Sequence, residues 1–301
     1  MTSSPALEAF CDWLDVTFSP TDCPYPEVNR LLLDAGFEVL GCGFKSGGLF
    51  TYATPKPWRG TVRIEQGSKW AKISASGDAC AYLRHCQVFE SYLWALASSA
   101  HTITRLDATM DLAMDGADLV DALRRRYPAG SVNLGRKAIP TSVILAVRGD
   151  GRETGTWYAG YRTAARVVAK AYDKAWQMLS RYGEVIPPTG RVEVTVKKGY
   201  GATLRDAALP TALFWHTASP ALLKAPEGVP VWQPNDDLGG WQAPPRTFDP
   251  AALLRRRVES MAELDALAMV ADDLGAEGRA YLLHLLTQRL KPDALAPADA
   301  A

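Results

Sequence analysis

Apolar and polar residues alternate along several stretches of this chain, and each such stretch predicts a β-strand. Successive side chains of a strand point to opposite faces of a sheet, so alternation gives one apolar and one polar side. The alternating or strand-like runs are 12–18, 101–113, 141–148, 154–161, 165–173 and 191–198. Between 44 and 76, further strand-like pieces are separated by Gly and Pro turns. A large sheet is therefore expected.

Helical patterns lie between these groups of strands. The segments that predict helices are 26–35, 80–97, 117–127, 174–182, 249–271 and 275–290. The strands come in hairpin-like groups with helices between them, and they do not follow a regular strand–helix–strand alternation. This order predicts an α+β fold in which helices flank an antiparallel central sheet.

Shifts in composition along the chain predict three parts. Residues 1–215 hold all the predicted strands and are expected to form one domain. Residues 216–248 are rich in Pro, Gly and Trp and are expected to form an irregular connection, whereas 249–301 are expected to be helical with a frayed tail. The 301 residues are 48% apolar and 22% charged, which is typical of a globular protein.

Cysteine usage and the first residues predict a cytoplasmic protein. The five cysteines are an odd number at irregular spacing, which fits reduced thiols better than a disulfide framework. Residues 1–10 show neither the basic nor the apolar region of a signal peptide. Apolar runs also stay well short of the roughly 18 residues that a membrane helix needs. No membrane partner is expected.

Charge is balanced over the whole chain but not along it. The 33 Lys and Arg match 33 Asp and Glu, and a neutral chain at first sight argues against a nucleic-acid binder. Residues 152–205, however, hold ten bases and four acids, a net charge of +6, while 249–301 have a net charge of −3. Aromatic residues are interleaved with the bases. This pattern suits either a single-stranded nucleic-acid groove or core aromatics beside solvated bases.

The polar sides of three predicted strands carry acids and bases together. They comprise Arg105, Asp107, Thr109 and Asp111; Arg166, Lys170, Tyr172 and Lys174; and Arg191, Glu193, Thr195 and Lys197. Asp107 and Asp111 would lie about 13 Å apart on one strand, too far to hold one ion, so a second strand must contribute. Glu193 is the natural candidate, and such hard oxygen ligands suit Mg²⁺ or Mn²⁺. The alternative is a solvated sheet face with cross-strand charge pairs.

Several pieces of the sequence together carry a resemblance to a known family. They are DWLDVTF at 12–18, ISASGDACAYLR at 73–84, ITRLDATMD at 103–111, TWYAGYRTAARVVAKAYDK at 156–174 and RVEVTVK at 191–197. In this order and spacing, over about residues 12–225, they resemble the replication initiation factors of filamentous phages and rolling-circle plasmids. The resemblance implies an HUH-endonuclease-like fold of the branch that lacks the paired histidines, and no His-x-His occurs in this sequence.

The resemblance also implies roles for individual residues. In the family, acids of the R-x-D-x-x-x-D strand and of the R-x-E strand hold a metal. The matching positions are Asp107, Asp111 and Glu193. The nucleophilic tyrosine of an R-x-Y-x-K segment matches Tyr172, with Lys170 in place of the usual Arg. Lys170 keeps the charge but not the bidentate fork, and together with Lys174 it is expected to favour the phenolate of Tyr172.

The activity that the resemblance implies is initiation of rolling-circle DNA replication. A tyrosine would attack single-stranded origin DNA, remain joined to the 5′-phosphate and free a 3′-OH that primes synthesis. Tyr158 and Tyr161 compete with Tyr172 for this role. Host helicase and polymerase would be partners. The apolar residues of the C-terminal helices are expected to serve packing, and the alternative is a surface for a homodimer or a host factor.

Two other functional classes are weighed beside this one. The chain could be a non-catalytic protein that binds an origin or operator, or a carboxylate metallonuclease that uses water and no tyrosine. In each case DNA phosphates need basic contacts. The residues expected to supply them are Arg105, Arg162, Arg166, Arg191 and Lys197. Arg105 and Arg191 share their strand faces with the acids, so pairing with those acids is an equal alternative.

Overall fold

The computed structural model describes residues 8–40, 49–134, 138–161, 165–219 and 221–234, together with 275, 276, 279, 280 and 284. The chain divides into two units, Met1–Pro244 and Pro245–Ala301. All strands and helices named below belong to the first unit. The predicted helices at 249–271 and 275–290 fall mainly outside the described residues, as does the start, 44–48, of the predicted strand region 44–76. The predicted divisions at 215 and 248 stay predictions. None of the described helices is both long and apolar enough to cross a membrane.

The alternating segments form one large sheet, with eleven strands in the described part of the chain. In chain order they are β1 (Phe10–Phe18), β2 (Glu38–Val39), β3 (Leu49–Ala53), β4 (Thr61–Gln66), β5 (Ala71–Ala75), β6 (His101–Leu112), β7 (Ser131–Asn133), β8 (Ala138–Val147), β9 (Glu153–Ala159), β10 (Val167–Asp173) and β11 (Gly190–Lys197). Their order across the sheet is β2-β3-β4-β5-β1-β6-β11-β10-β9-β8-β7, and neighbouring strands are antiparallel. The predicted α+β fold with an antiparallel central sheet is confirmed.

Helices connect and flank these strands. They are α1 (Tyr25–Asp34), α2 (Gly77–His85), α3 (Phe89–Ala97), α4 (Gly116–Arg126), α5 (Lys174–Tyr182), α6 (Leu204–Ala208) and α7 (Thr211–Ala218). The prediction of one helix over 80–97 is wrong, because Gln87 adopts a left-handed φ of 59° between α2 and α3. The sequence analysis missed α6, although Thr203 and Asp206 form a capping box at its start. It also missed α7, which extends to Ala218.

The apolar sides of the central strands form the core. Their fully buried side chains include Leu14, Val16, Leu106, Met110, Val192, Val194, Ala169 and Ala171. Helix α4 packs against β9 and β10, and α6 and α7 pack against β6. Because alternate residues point to opposite faces, the polar side chains of the same strands are collected on the other side of the sheet.

Candidate active site

The register of β10, β11 and β6 brings the predicted polar faces together at the centre of the sheet. Two rows of side chains cross these strands. The rows are Lys170, Glu193 and Thr109, and Tyr172, Arg191 and Asp111. Asp107 lies two residues from Thr109 on β6 and opposite Thr195 of β11. The predicted nucleophile and the predicted metal ligands therefore share one face of three adjacent strands.

Glu193 is the centre of this arrangement. Only 1% of the residue is exposed, so its carboxylate needs partners within the protein. Tyr172 Oη donates a hydrogen bond of 2.5 Å to Glu193 Oε1. Lys170 Nζ forms an ion pair with the other oxygen, Oε2. A tyrosine and a lysine from β10 are thus both held by one carboxylate of β11.

Tyr172 is buried and protonated in this arrangement. Burial, with the nearby Glu193 carboxylate, raises the pKa of the Tyr172 phenol far above its usual range. The expectation that Lys170 and Lys174 lower this pKa is wrong for this state. The charge of Lys170 is taken up by Glu193, and Lys174 Nζ donates to Gln177 Oε1 at 2.9 Å. The role of Tyr172 as nucleophile stays a prediction.

Arg105 pairs with a second buried carboxylate. Its Nε and Nη2 donate to Asp107 Oδ1 and Oδ2 at 2.9 and 2.5 Å, a bidentate pair. Asp107 is 2% exposed, and burial raises the pKa of its carboxyl although Arg105 opposes this. The Arg105 guanidinium also lies 4.5 Å from the centre of the Trp13 ring. Of the two roles left open for Arg105, the structure shows pairing with an acid.

Arg191 makes the same kind of pair at the other end of the site. Its Nε and Nη2 donate to Asp111 at 2.5 and 2.8 Å, and its Nη1 lies 3.5 Å from Asp12 Oδ1. The guanidinium carbon is 5.3 Å from the Phe10 ring centre. Asp111 is therefore paired with Arg191, whereas Asp107 is paired with Arg105.

Asp12 is a site residue that the sequence analysis missed. A register irregularity between Cys11 and Trp13 interrupts the pairing of β1 with β6, and Asp12 is the residue within it. Such bulges re-aim side chains. Burial and the Glu193 carboxylate raise the pKa of Asp12 to about 7, although Arg191 opposes this. Asp12 and Asp15, the two acids of DWLDVTF, are three residues apart and so break the alternation. This break was the feature of the sequence that could have indicated a bulge.

The carboxylates fit a divalent cation in part. Asp107 and Glu193 are buried on adjacent strands, β6 and β11. The hydroxyl of Thr109 beside them is also buried, and its Oγ1 forms no hydrogen bond with any described residue. A hydroxyl oxygen of this kind is a ligand that a hard cation such as Mg²⁺ would use. Within the described ranges, however, no group of three or more His, Cys, Asp and Glu side chains is placed to hold an ion. The two buried carboxylates of this face, Asp107 and Glu193, are each paired with a basic side chain.

Two of the remaining basic candidates, Arg166 and Lys197, lie away from Tyr172. Lys197 is opposite Arg105 at the far end of β11, and its backbone N–H donates to the carbonyl of Arg166. Burial lowers the pKa of Lys197. Arg162 lies outside the described residues. Arg105, Arg166 and Lys197 form a basic end of the polar face, with Tyr172 and Arg191 at the opposite end.

The two competing tyrosines differ in placement. Tyr158 on β9 lies opposite Lys170, so it borders the polar face one strand beyond Tyr172. Tyr161 follows β9 and is 67% exposed. Neither has the hydrogen bond to Glu193 that distinguishes Tyr172 among the described tyrosines.

Comparison with known proteins gives structural similarities only. No protein-family model and no curated protein matches the chain. Among solved structures, a rolling circle replication initiator protein from Geobacillus stearothermophilus is similar over 64% of this chain and 75% of its own, with 19% identity and a TM-score of 0.42. The di-domain ARO/CYC proteins BexL, from the BE-7585A biosynthetic pathway, and StfQ, from the steffimycin pathway, are similar over 67% and 68% of this chain and 92% and 93% of their own. Their identities are 17% and 11% and their TM-scores 0.18 and 0.19. At these TM-scores none of the three similarities assigns a fold, an activity or a residue's role to this chain.

Proposed function

We propose that this protein initiates rolling-circle DNA replication by nicking a single DNA strand with Tyr172. The observation that supports the proposal is the contact of Tyr172 Oη with Glu193, in a buried centre that also holds Lys170 and Asp107. On a solvated sheet face the carboxylates would remain in contact with water. Burying a carboxylate costs free energy unless it is paired with a cation or a hydrogen-bond donor. The residues that make up this centre are also those on which the family resemblance rests.

The reaction would be a transesterification. Tyr172 Oη gives up its proton and attacks the phosphorus of a phosphodiester. The bond from phosphorus to the 3′-oxygen breaks, and that oxygen takes up a proton and leaves as a 3′-OH. Tyr172 is then joined to the 5′-phosphate. Glu193 accepts the hydrogen bond of Tyr172 in the resting state, so its carboxylate is placed to take the phenol proton during the attack.

Asp107 and Glu193 would hold a Mg²⁺ or Mn²⁺ ion, with Asp111 proposed as a third ligand. A divalent cation bound there would supply Lewis-acid stabilisation of the charge that develops on the phosphate oxygens. Asp111 can contribute only if it is released by Arg191, whose fork holds both of its oxygens. Asp107 is likewise held at both oxygens by Arg105, but it is buried and interacts electrostatically with Glu193. Replacement of Asp111 by Asn should therefore weaken metal-dependent activity less than replacement of Asp107.

The DNA would follow the polar face of the sheet. Arg166, Lys197 and Arg105 at one end and Arg191 at the other would contact phosphates, with Arg162 as a further proposed contact. The origin would be read through its shape and bases, because the chain as a whole carries no net positive charge. A helicase and a polymerase of the host would extend the 3′-OH, and a homodimer is a further proposal.

A carboxylate metallonuclease is the second candidate, and one observation favours it. Tyr172 is buried, and its pKa is raised rather than lowered. Water activated beside Asp107 and Glu193 would cut DNA without a covalent intermediate.

The experiment that separates these functions measures cutting and covalent attachment in one reaction. Single-stranded oligonucleotides tiled across the DNA around the gene are incubated with the protein and Mn²⁺, and then with EDTA in place of the metal. We expect a protein–DNA adduct that is lost in Tyr172→Phe and with EDTA, but kept in the matched variant Tyr161→Phe. Cutting without an adduct indicates the metallonuclease, and binding without cutting indicates a non-catalytic DNA-binding protein.

A further inference from the structure

Asp173, the residue directly after Tyr172, is fixed by four donors. It lies at the end of β10, and its side chain is 1% exposed. Its Oδ1 accepts a hydrogen bond from the backbone N–H of Trp176 at 3.0 Å, which caps the N-terminus of α5. Its Oδ2 accepts from Thr154 Oγ1 at 2.9 Å and from Arg148, whose Nε is 2.9 Å away and whose Nη2 is also bonded. The backbone next to Tyr172 is thus anchored from three directions.

The same arginine holds a second helix cap. Asp115 caps α4, with its Oδ1 accepting from the backbone N–H of Ala117 at 2.8 Å. Arg148 Nη1 and Nη2 donate to the two Asp115 oxygens at 3.0 and 2.7 Å. At Gly116 a Cβ would lie 2.3 Å from the Cα of Asp173, so the two helix N-termini meet in direct contact. One guanidinium, 16% exposed, therefore joins the starts of α4 and α5.

We propose that Arg148 and Asp173 are positioning residues, which set where Tyr172 can move when it attacks DNA. This rests on the proposed function of Tyr172. Neither residue would touch the DNA. They act through the backbone, because no residue separates the anchored Asp173 from Tyr172. A nucleophile must meet its phosphorus within a few tenths of an ångström, and a displacement of about 1 Å is enough to slow a reaction about a hundredfold.

The chain offers a matched control for this role. Asp115 and Asp173 each cap a helix and each bind Arg148, but only Asp173 is adjacent to Tyr172. Asparagine keeps an oxygen that can cap the helix, while its amide group presents hydrogens to the Arg148 donors. Asp173→Asn and Asp115→Asn therefore each break an ion pair with Arg148, and Asp115→Asn also breaks a pair with Arg152 at 2.9 Å. The two variants differ in whether the lost carboxylate lies next to Tyr172.

The test measures adduct formation with the tiled single-stranded oligonucleotides and Mn²⁺. For Asp173→Asn we expect the rate constant at saturating DNA to fall at least about tenfold, with the half-saturating DNA concentration unchanged within about twofold. For Asp115→Asn we expect both quantities to stay within about twofold of those of the unaltered protein. Equal rate constants for the two variants, or a change in half-saturation alone, would overturn the proposal.

Amide hydrogen exchange of the full chain provides a second measurement that does not depend on activity. Asp173→Asn should speed exchange of the peptide that covers 171–177, whereas Asp115→Asn should speed it only at the start of α4. If the unaltered protein forms no adduct but this difference appears, the proposed function fails and the anchoring of Tyr172 stands. If exchange at 171–177 is the same in both variants, the positioning role fails whatever the activity.

Discussion

At the scale of single residues, each buried carboxylate of the site has its own cation. Asp107 is paired with Arg105 and Glu193 with Lys170, and both acids are almost fully buried. Removing one member of such a pair leaves a charge with neither water nor a counter-ion. Arg105, Lys170 and Arg191 are engaged by acids, and phosphates of the proposed DNA ligand would have to compete with these carboxylates for them.

Lys170 and Lys174 should therefore differ in their contribution to stability. Lys170→Met leaves Glu193 without its cation and should lower the free energy of unfolding by about 3 kcal/mol. Lys174 donates to the neutral Gln177, so Lys174→Met should cost less than about 1 kcal/mol. Urea unfolding measures both values. Glu193→Gln added to Lys170→Met should recover part of the loss, and equal costs for the two single variants would contradict the pairing.

Asp12 should make stability depend on pH. Its pKa is about 7 in the folded protein because of burial, against an ordinary value of 3.8, so the folded state binds a proton that the unfolded state has released. The contribution of this group to stability is therefore largest below pH 4 and falls as the pH rises to about 7. Asp12→Asn removes the fall, and its stability relative to the unaltered protein should increase by about 2 kcal/mol between pH 5 and pH 8.

Urea unfolding of both proteins at the two pH values measures this difference. Asp34→Asn is the control, because Asp34 is exposed at the end of α1. A difference between Asp12→Asn and the unaltered protein that does not change with pH would show that Asp12 is already ionised in the folded state.

At the scale of elements, contacts between helix starts and strand ends hold the site in place. Gly116→Ala should lower the free energy of unfolding by about 1–3 kcal/mol, because the new methyl group would collide with the backbone of Asp173. Gly149→Ala is the control, since a Cβ there meets nothing within 4 Å among the described residues. Its stability should change by no more than about 1 kcal/mol. Thermal unfolding measures both, and equal midpoints would contradict the close contact of α4 with β10.

Alternation predicted the central strands and their polar faces, because a strand that is buried on one side leaves a period of two in the sequence. It could not predict the bulge at Asp12, which changes the face of one residue without changing the composition. It also could not predict that Arg148, which directly follows β8, meets Asp173 of β10, two strands away. Contacts between residues of distant segments depend on the order of the strands in the sheet. The alternation of apolar and polar residues within one segment gives no information about that order.

The pKa of Tyr172 is a second property that the sequence pattern could not predict. The sequence places Lys170 and Lys174 on its side of the chain and so predicts a lowered pKa. The fold instead buries the phenol against Glu193 from the neighbouring strand, and burial raises the pKa. The sequence pattern placed Tyr172 and Glu193 on one polar face, but it gave neither Asp12 nor the balance of burial and charge at Tyr172.

At the scale of the whole molecule, a neutral chain concentrates its chemistry on one sheet face. The basic excess of 152–205 covers β10 and β11, where Tyr172 and Glu193 lie, and it is offset elsewhere in the sequence. The acids and bases of β6, β10 and β11 meet because these strands are neighbours in the sheet. The central claim is that this face carries a tyrosine that becomes joined to DNA.

The most direct test identifies the tyrosine in the adduct by mass spectrometry. The adduct is digested with nuclease and then with trypsin, which cuts after Lys and Arg. Tyr172 then lies in the peptide 171–174, whereas Tyr158 and Tyr161 lie together in 153–162. We predict that the nucleotide mass is found on 171–174. Nucleotide mass on 153–162, or DNA that is cut while neither peptide is modified, would contradict the account.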